Sequence, residues 1–299
     1  MGRFRRGWLL FKYSIFILNK DKELLLYPLM SYVTILVFTL IFYASVFLLP
    51  LLFSVLMAFE SQVFIFLAAI ILVFLNGFII IFFNAALTSA VLLRLKGQNP
   101  NLRDGLRGAY KFKWQIFKYS IVHMTVGIII EIIAGTLKKV PLLHYIVYQI
   151  GITSWSLITY FVIPLLVTQE DCAPFDAIKK SVNILKRTWG EALVPIGGLG
   201  LIFFIIYAVY SLGFYLSILA LEETARGPLH SASIESVVIT PITFFIILYI
   251  IFVFQTTLGA ILKACLYQYA LDKEKNESPS AFKDDPVISQ IFEKGFTKS

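Results

Sequence analysis

Apolar positions run almost without interruption through six stretches of the chain, at about residues 24–53, 63–93, 117–137, 145–167, 193–221 and 237–262. A helix needs roughly 20 apolar residues to cross a hydrocarbon core, because each backbone amide there must find its partner within its own segment. The pattern therefore predicts an all-α polytopic bundle of six transmembrane helices. It forms a single membrane domain over residues 1–270, with a polar cytoplasmic tail at 271–299. The first, second and fifth stretches exceed the minimum, which predicts tilt or extension beyond the membrane.

The segments between them are polar but keep helical spacing. In residues 11–28, FKYSIFILNKDKELLLYP, the polar run Asn19, Lys20, Asp21, Lys22 and Glu23 stands against the first apolar stretch. Upstream, Trp8, Phe11, Ile15 and Leu18 recur at i, i+3, i+7 and i+10, one face of a helix. Such a helix is too polar to span. It is expected to lie in the membrane interface, with Trp8 and Phe11 in the acyl boundary and Lys12, Lys20 and Lys22 toward headgroups. The chain then turns near residues 19–23 and enters the bilayer around Pro28, which a first helical turn tolerates.

Shifted by 167 positions, this segment falls on residues 178–195, IKKSVNILKRTWGEALVP. Lys12 meets Lys179, Ser14 meets Ser181, Leu18 meets Leu185 and Pro28 meets Pro195. The stripe recurs as Phe175, Ile178, Val182 and Leu185, with Lys179, Lys186 and Arg187 as the basic partners. A weaker third copy begins at Asp104, where Leu106 and Tyr110 fall on Ile178 and Val182 but Lys113 interrupts the stripe. The three suggest pseudo-repeats, each a cytoplasmic amphipathic helix followed by one span outward and one back.

Charge fixes an orientation. The chain is 59% hydrophobic and only 15% charged, with a mean hydropathy of +0.82, outside the range of soluble domains. Lys and Arg gather before residue 23 and at 94–118, 179–187 and 263–298, whereas the alternate connections hold Lys138, Lys139 and Arg226. Basic residues stay preferentially inside, so both termini are expected to be cytoplasmic, in a cytoplasmic (inner) membrane. The net charge of +8 then suits anionic membrane lipids, at about 1 kcal/mol per basic residue near the surface, and leaves no soluble basic domain for nucleic acid. Another membrane protein is a second possible partner. Cys172 and Cys265 fall on the cytoplasmic side, where thiols remain reduced.

GWLLFKYS followed by DKELLLYP, then FDAIKKS with RTWGEAL, and finally ILKACLYQYA resemble, in that order, an uncharacterised family of prokaryotic multi-pass membrane proteins, a domain of unknown function. The likeness covers nearly the whole chain. A fainter one extends to the membrane domain attached to some glycerophosphodiester phosphodiesterases, whose phosphodiesterase domain has no counterpart here. The resemblance implies a fold and a compartment, and no catalytic residue.

Catalysis finds little support: His123, His144 and His230 are far apart without the pairing of a helical zinc site, and no nucleophile elbow or phosphate loop occurs. No metal and no cofactor is expected. The candidate chemistry is intramembrane. Glu131 sits inside GIIIEIIAG, where an ionisable group costs at least about 2.5 kcal/mol and usually faces a partner or water. It continues a face begun by His123 and Gly127. Asn76, Asn84 and Thr88 in the second span, and Gln149, Thr153, Ser156 and Tyr160 in the fourth, are the other polar residues at depth. One reading makes these a polar cavity serving transport or lipid handling. The alternative makes them interhelical hydrogen bonds in a non-catalytic scaffold or accessory subunit of a membrane complex. In either case, cysteines placed at Gln62 and Gly227 should react with an impermeant maleimide from outside while those at Asn99 and Ser278 stay protected; external labelling of Asn99 contradicts the topology.

Overall fold

The computed structural model describes residues 3–52, 61–226 and 234–275, and the regular structure among them is helical. In order these are α1 (Arg3–Lys20), α2 (Leu26–Leu52), α3 (Ser61–Leu95), α4 (Leu102–Lys111), α5 (Lys113–Gly135), α6 (Pro141–Ile158), α7 (Val162–Leu166), α8 (Pro174–Arg226) and α9 (Ile234–Lys275). Among the described residues six segments are long and apolar enough to cross a membrane: Lys22–Ser45, Phe66–Leu95, Lys113–Gly135, Pro141–Leu166, Ile196–Ala220 and Ile239–Asp272. These are the six expected from hydropathy. His230 and the tail beyond residue 275 lie outside the described residues.

Contacts between α2 and α3, α3 and α5, α5 and α6, α6 and α8, α8 and α9, and α9 and α2 close the spans into a ring, with α3 touching α9 across it. The packed core occupies the basic end. There Leu10 and Ile17 of α1, Ala85, Ala86 and Ala90 of α3, Phe161 and Leu165 at α7, and Ala264 and Leu266 of α9 are all buried. Toward the far end the helices present Leu40, Ile41, Phe66, Ile132, Phe204 and Phe245 outward, as suits surfaces solvated by lipid. Ion pairs tie the basic end together, Arg94 to Asp21 at 3.4 Å and Arg187 to Glu274 at 2.7 Å.

Small residues set the closest crossing. α4 is capped by Asn101 and Asp104, whose carboxylate accepts the Asn101 N–H at 2.9 Å. Its Gly105 lies against α3 so closely that an added Cβ would come within 2.7 Å of the Ala86 carbonyl oxygen and collide with the Tyr27 hydroxyl. Gly108 meets the Ser89 side chain in the same way. Backbones approach like this where side chains are absent.

Three features depart from the sequence reading. The first is the repeated corner. After α1 the chain does turn, through a 3-10 segment at Lys22–Leu25, pinned by Asp21 on Arg94. In the second copy the position aligned with Asp21 is Thr188, whose hydroxyl donates to the Ile184 carbonyl at 2.8 Å within the helix. No turn forms, and α8 runs unbroken for 53 residues, about 80 Å at 1.5 Å per residue. In the third copy the chain breaks at Phe112, between α4 and α5.

The second departure is the face of α1. Its packed side carries Leu10, Tyr13, Ser14 and Ile17, with Phe11 and Leu18 at 7% and 6% exposure, and it lies against α8 and α9. Phe11, expected in lipid, is therefore part of the protein core. Ser14 disguised this face in the sequence, because its hydroxyl is satisfied locally by the Leu10 carbonyl at 2.9 Å. Trp8, Ile15 and Phe16 remain exposed, beside exposed Lys12 and Lys20.

The third is the fourth span, which is broken. Pro164 lacks an N–H, and its ring would clash with the carbonyl of residue 160 in a continuous helix. α6 accordingly ends at Ile158 and α7 resumes at Val162. Ser181 of α8, fully buried, holds the break: its hydroxyl donates to the Ile158 carbonyl at 2.7 Å and accepts the Phe161 N–H at 3.0 Å. At the other end of the chain, α9 runs to Lys275, with Tyr267 and Tyr269 buried in the basic-end core.

Two glycines test this packing. Gly105→Ala should destabilise the protein by about 1–3 kcal/mol, the range for overpacking. Gly127→Ala, where an added Cβ meets nothing within 4 Å, should be neutral or stabilising by up to ~1 kcal/mol through helix propensity. Thermal unfolding in detergent separates the two.

Candidate functional site

The polar residues singled out along the spans reach different places. Thr88 is buried and spends its hydroxyl on the Asn84 carbonyl at 2.8 Å. Asn76 encloses its side-chain oxygen without a hydrogen-bond partner among the described residues. Glu131 is exposed. Gln149, Thr153 and Ser156 share one exposed face of α6, where the Gln149 amide donates to the Tyr145 hydroxyl at 3.1 Å. Asn84 opens on a cleft between α2, α3 and α9, whereas His123 and Tyr160 lie on the other side of α3, toward α5 and α6.

The cleft encloses about 280 Å³. Its walls are apolar, chiefly Ile35, Ile80, Phe83, Leu87 and Phe252, and Ser31, Asn84 and Thr256 are its polar members. The Thr256 hydroxyl turns back to the Phe252 carbonyl at 3.0 Å. The Asn84 carboxamide and the Ser31 hydroxyl make no hydrogen bond among the described residues, so their capacity faces the cleft. One side is braced by Tyr32 and Tyr249, with ring centroids 4.3 Å apart, and the Tyr249 hydroxyl donates to the Pro28 carbonyl at 3.4 Å. The spacing of Ser31 after Pro28, at the head of an otherwise apolar run, is the signal that would have pointed to this wall.

A second hollow, of 440 Å³, lies at the basic end between Lys111, Trp114, Lys118, Asp171 and Cys172. The Lys111 ammonium hydrogen-bonds to Glu170 and holds its carboxyl below the usual carboxylate range. Burial pushes the Cys172 thiol up, making it a poor nucleophile at neutral pH. Cys172 and Cys265 are both buried free thiols.

The third arrangement centres on His123. The Trp155 Nε1–H donates to its Nδ1 at 3.1 Å, and the Tyr119 hydroxyl stands 3.2 Å from the same nitrogen. An indole nitrogen only donates, so Nδ1 is the acceptor and the neutral ring carries its proton on Nε2. Nearby, the Lys263 ammonium sits 5.2 Å from the centroid of the Tyr160 ring. The helix break at residues 159–161 puts Tyr160 there. Lys263 reads in the sequence as one of the tail's basic residues, although it is set between buried Leu262 and Ala264.

Among the described residues no group of His, Cys, Asp and Glu is arranged to hold a metal ion. Six apolar spans packed around a core at one end define a polytopic α-helical membrane protein. Within that class the chain belongs to a family of unknown function, DUF6159, which matches residues 61–277, from the start of α3 to just beyond α9. No curated protein and no solved structure matches it.

Proposed function

We propose that this protein handles lipid in a cytoplasmic membrane, with its basic end inside, by holding a lipid molecule against α2, α3 and α9. One observation carries the reading: an apolar trough that keeps an unspent carboxamide, Asn84, and an unspent hydroxyl, Ser31. Apolar walls alone give no preference for one acyl chain over the surrounding bilayer, because lipid tails are as apolar as leucine. Selection has to come from hydrogen bonds, and the ester carbonyls of a glycerolipid are acceptors suited to both groups. The depth agrees. α2 begins at Leu26, so the wall from Pro28 to Ile35 covers roughly the first 10 Å below its start, where the ester region of that leaflet passes into acyl chain. Exposed Lys12, Lys22, Lys179, Lys186 and Arg187 at the same end favour anionic headgroups and the inward orientation.

Native mass spectrometry of protein extracted from membranes tests the reading. Wild type should carry phospholipid. Ile80→Trp, which fills the cleft from an exposed position, and Asn84→Leu, which removes the carboxamide, should each lower the retained fraction about threefold or more, the equivalent of the ~0.6 kcal/mol of one hydrogen bond in a membrane. If both folded variants keep wild-type lipid, the cleft is not a lipid site. Co-isolation of another membrane protein in place of lipid supports the scaffold reading.

A further inference from the structure

Three polar side chains of α6 face outward in the middle of the fourth span. Gln149, Thr153 and Ser156 recur at i, i+4 and i+7 and are all exposed. They lie roughly 12–22 Å past Pro141 along the helix axis, within a hydrocarbon core about 30 Å thick. α6 turns its other side to α5: His144 bonds to the Ala134 carbonyl at 2.8 Å, the Trp155 indole donates to His123 at 3.1 Å, and a Cβ added at Gly151 would fall 2.7 Å from the Ile130 side chain. At 3.6 residues per turn, the polar stripe is centred roughly 130° around the helix from that contact. Its neighbours Leu142, Ile146 and Ile150 are exposed as well.

The groups on this face are also unspent. Thr34, Thr88 and Thr257 in other spans, and Thr159 just after α6, return their hydroxyls to a carbonyl one turn back. Thr153 and Ser156 make no hydrogen bond among the described residues. Gln149 gives one amide hydrogen to Tyr145 of its own helix at 3.1 Å, which leaves its other N–H and its carbonyl oxygen. Lipid tails offer these groups no partner, and a polar group at depth is unfavourable until it is hydrogen-bonded.

We propose that this stripe is the contact surface for a second copy of the chain, paired α6 to α6 within the membrane. Copies of one polypeptide insert with the same orientation, so a two-fold axis relating them runs along the membrane normal and sets the two helices parallel. Each residue then meets its own counterpart at its own depth. A polar group suits that arrangement only if it both donates and accepts, and the stripe is made of such groups. Two Gln149 carboxamides pair through reciprocal N–H···O bonds, and the facing hydroxyls of Thr153 and of Ser156 each supply a donor and an acceptor. None of the three is charged, so nothing repels across the axis. Thr153 and Ser156 are small enough for the helices to approach closely, with Leu142, Ile146 and Ile150 packing alongside. The stripe takes no part in the cleft between α2, α3 and α9, so its failure leaves the lipid reading of that cleft standing.

Cross-linking and subunit counting test the pairing on the full-length chain in membranes. Cys172 and Cys265 are buried, which makes the unmodified protein the blank for cysteines placed on the stripe. Thr153→Cys and Ser156→Cys should form disulfide-linked dimers under mild oxidation, whereas Ile132→Cys on α5 and Leu212→Cys on α8, both exposed, should not. Single-molecule photobleaching of labelled wild type in dilute liposomes should show two steps. Gln149→Leu, an exposed substitution that leaves the fold intact, should raise the dimer dissociation constant about eightfold, the equivalent of two membrane hydrogen bonds at ~0.6 kcal/mol each; Ile132→Ala should leave it unchanged. The proposal is overturned if wild type bleaches in one step or in more than two, if the stripe cysteines cross-link no better than the controls or link to a different protein, or if Gln149→Leu dimerises as wild type does.

Discussion

A single serine hydroxyl makes the broken fourth span tenable. Breaking a helix inside a bilayer frees backbone groups that water cannot reach, and each costs several kcal/mol unless the protein satisfies it. Ser181 takes one carbonyl and one N–H, at Ile158 and Phe161, using its donor and an acceptor lone pair at once. Because Ser181 belongs to α8 and the break to the α6–α7 junction, the same two bonds join the fourth span to the helix that carries the fifth. They also hold the turn that carries Tyr160, whose ring lies under the Lys263 ammonium.

The rest of the architecture follows from an imbalance between the two ends. The buried residues of α1, α3, α4, α8 and α9 gather at the basic end, where alanines and glycines let helices approach and where ion pairs span turns and termini. Such exposed pairs contribute little individually; Arg187 and Glu274 are each more than half exposed, so solvent screens them. Arg94 and Asp21 are largely enclosed, and their pairing joins the turn after α1 to α3. Away from this end the spans present apolar side chains outward.

Much of this was legible in the sequence, and the reasons for the rest are specific. Span number was legible because hydrocarbon thickness imposes length on every helix that crosses it. The break at Tyr160 was not, although Pro164 is plain to see: what stabilises it stands twenty residues downstream on another helix. Thr188 hid the continuity of α8, since a threonine opposite Asp21 in the repeat gives no sign that its hydroxyl will bond back into a helix. Phe11 was assigned to lipid because hydropathy cannot tell a protein-facing apolar side from a lipid-facing one, and the polar Ser14 lay on the packed side. Of the candidate site, Asn84, His123 and Tyr160 were found as polar residues at depth, but Lys263 was read as part of a basic tail and Ser31 was passed over. Depth and burial, which distinguish a charge set within the bundle from one at its surface, appear only when the helices are assembled.

Amide hydrogen exchange in nanodiscs tests the central claim most directly. If Ser181 satisfies the broken span, a peptide covering residues 158–166 exchanges as slowly as residues 85–92 at the centre of α3, and Ser181→Ala lowers its protection selectively while α3 stays protected. Rapid exchange of residues 158–166 in the wild-type protein, with α3 still protected, contradicts the account.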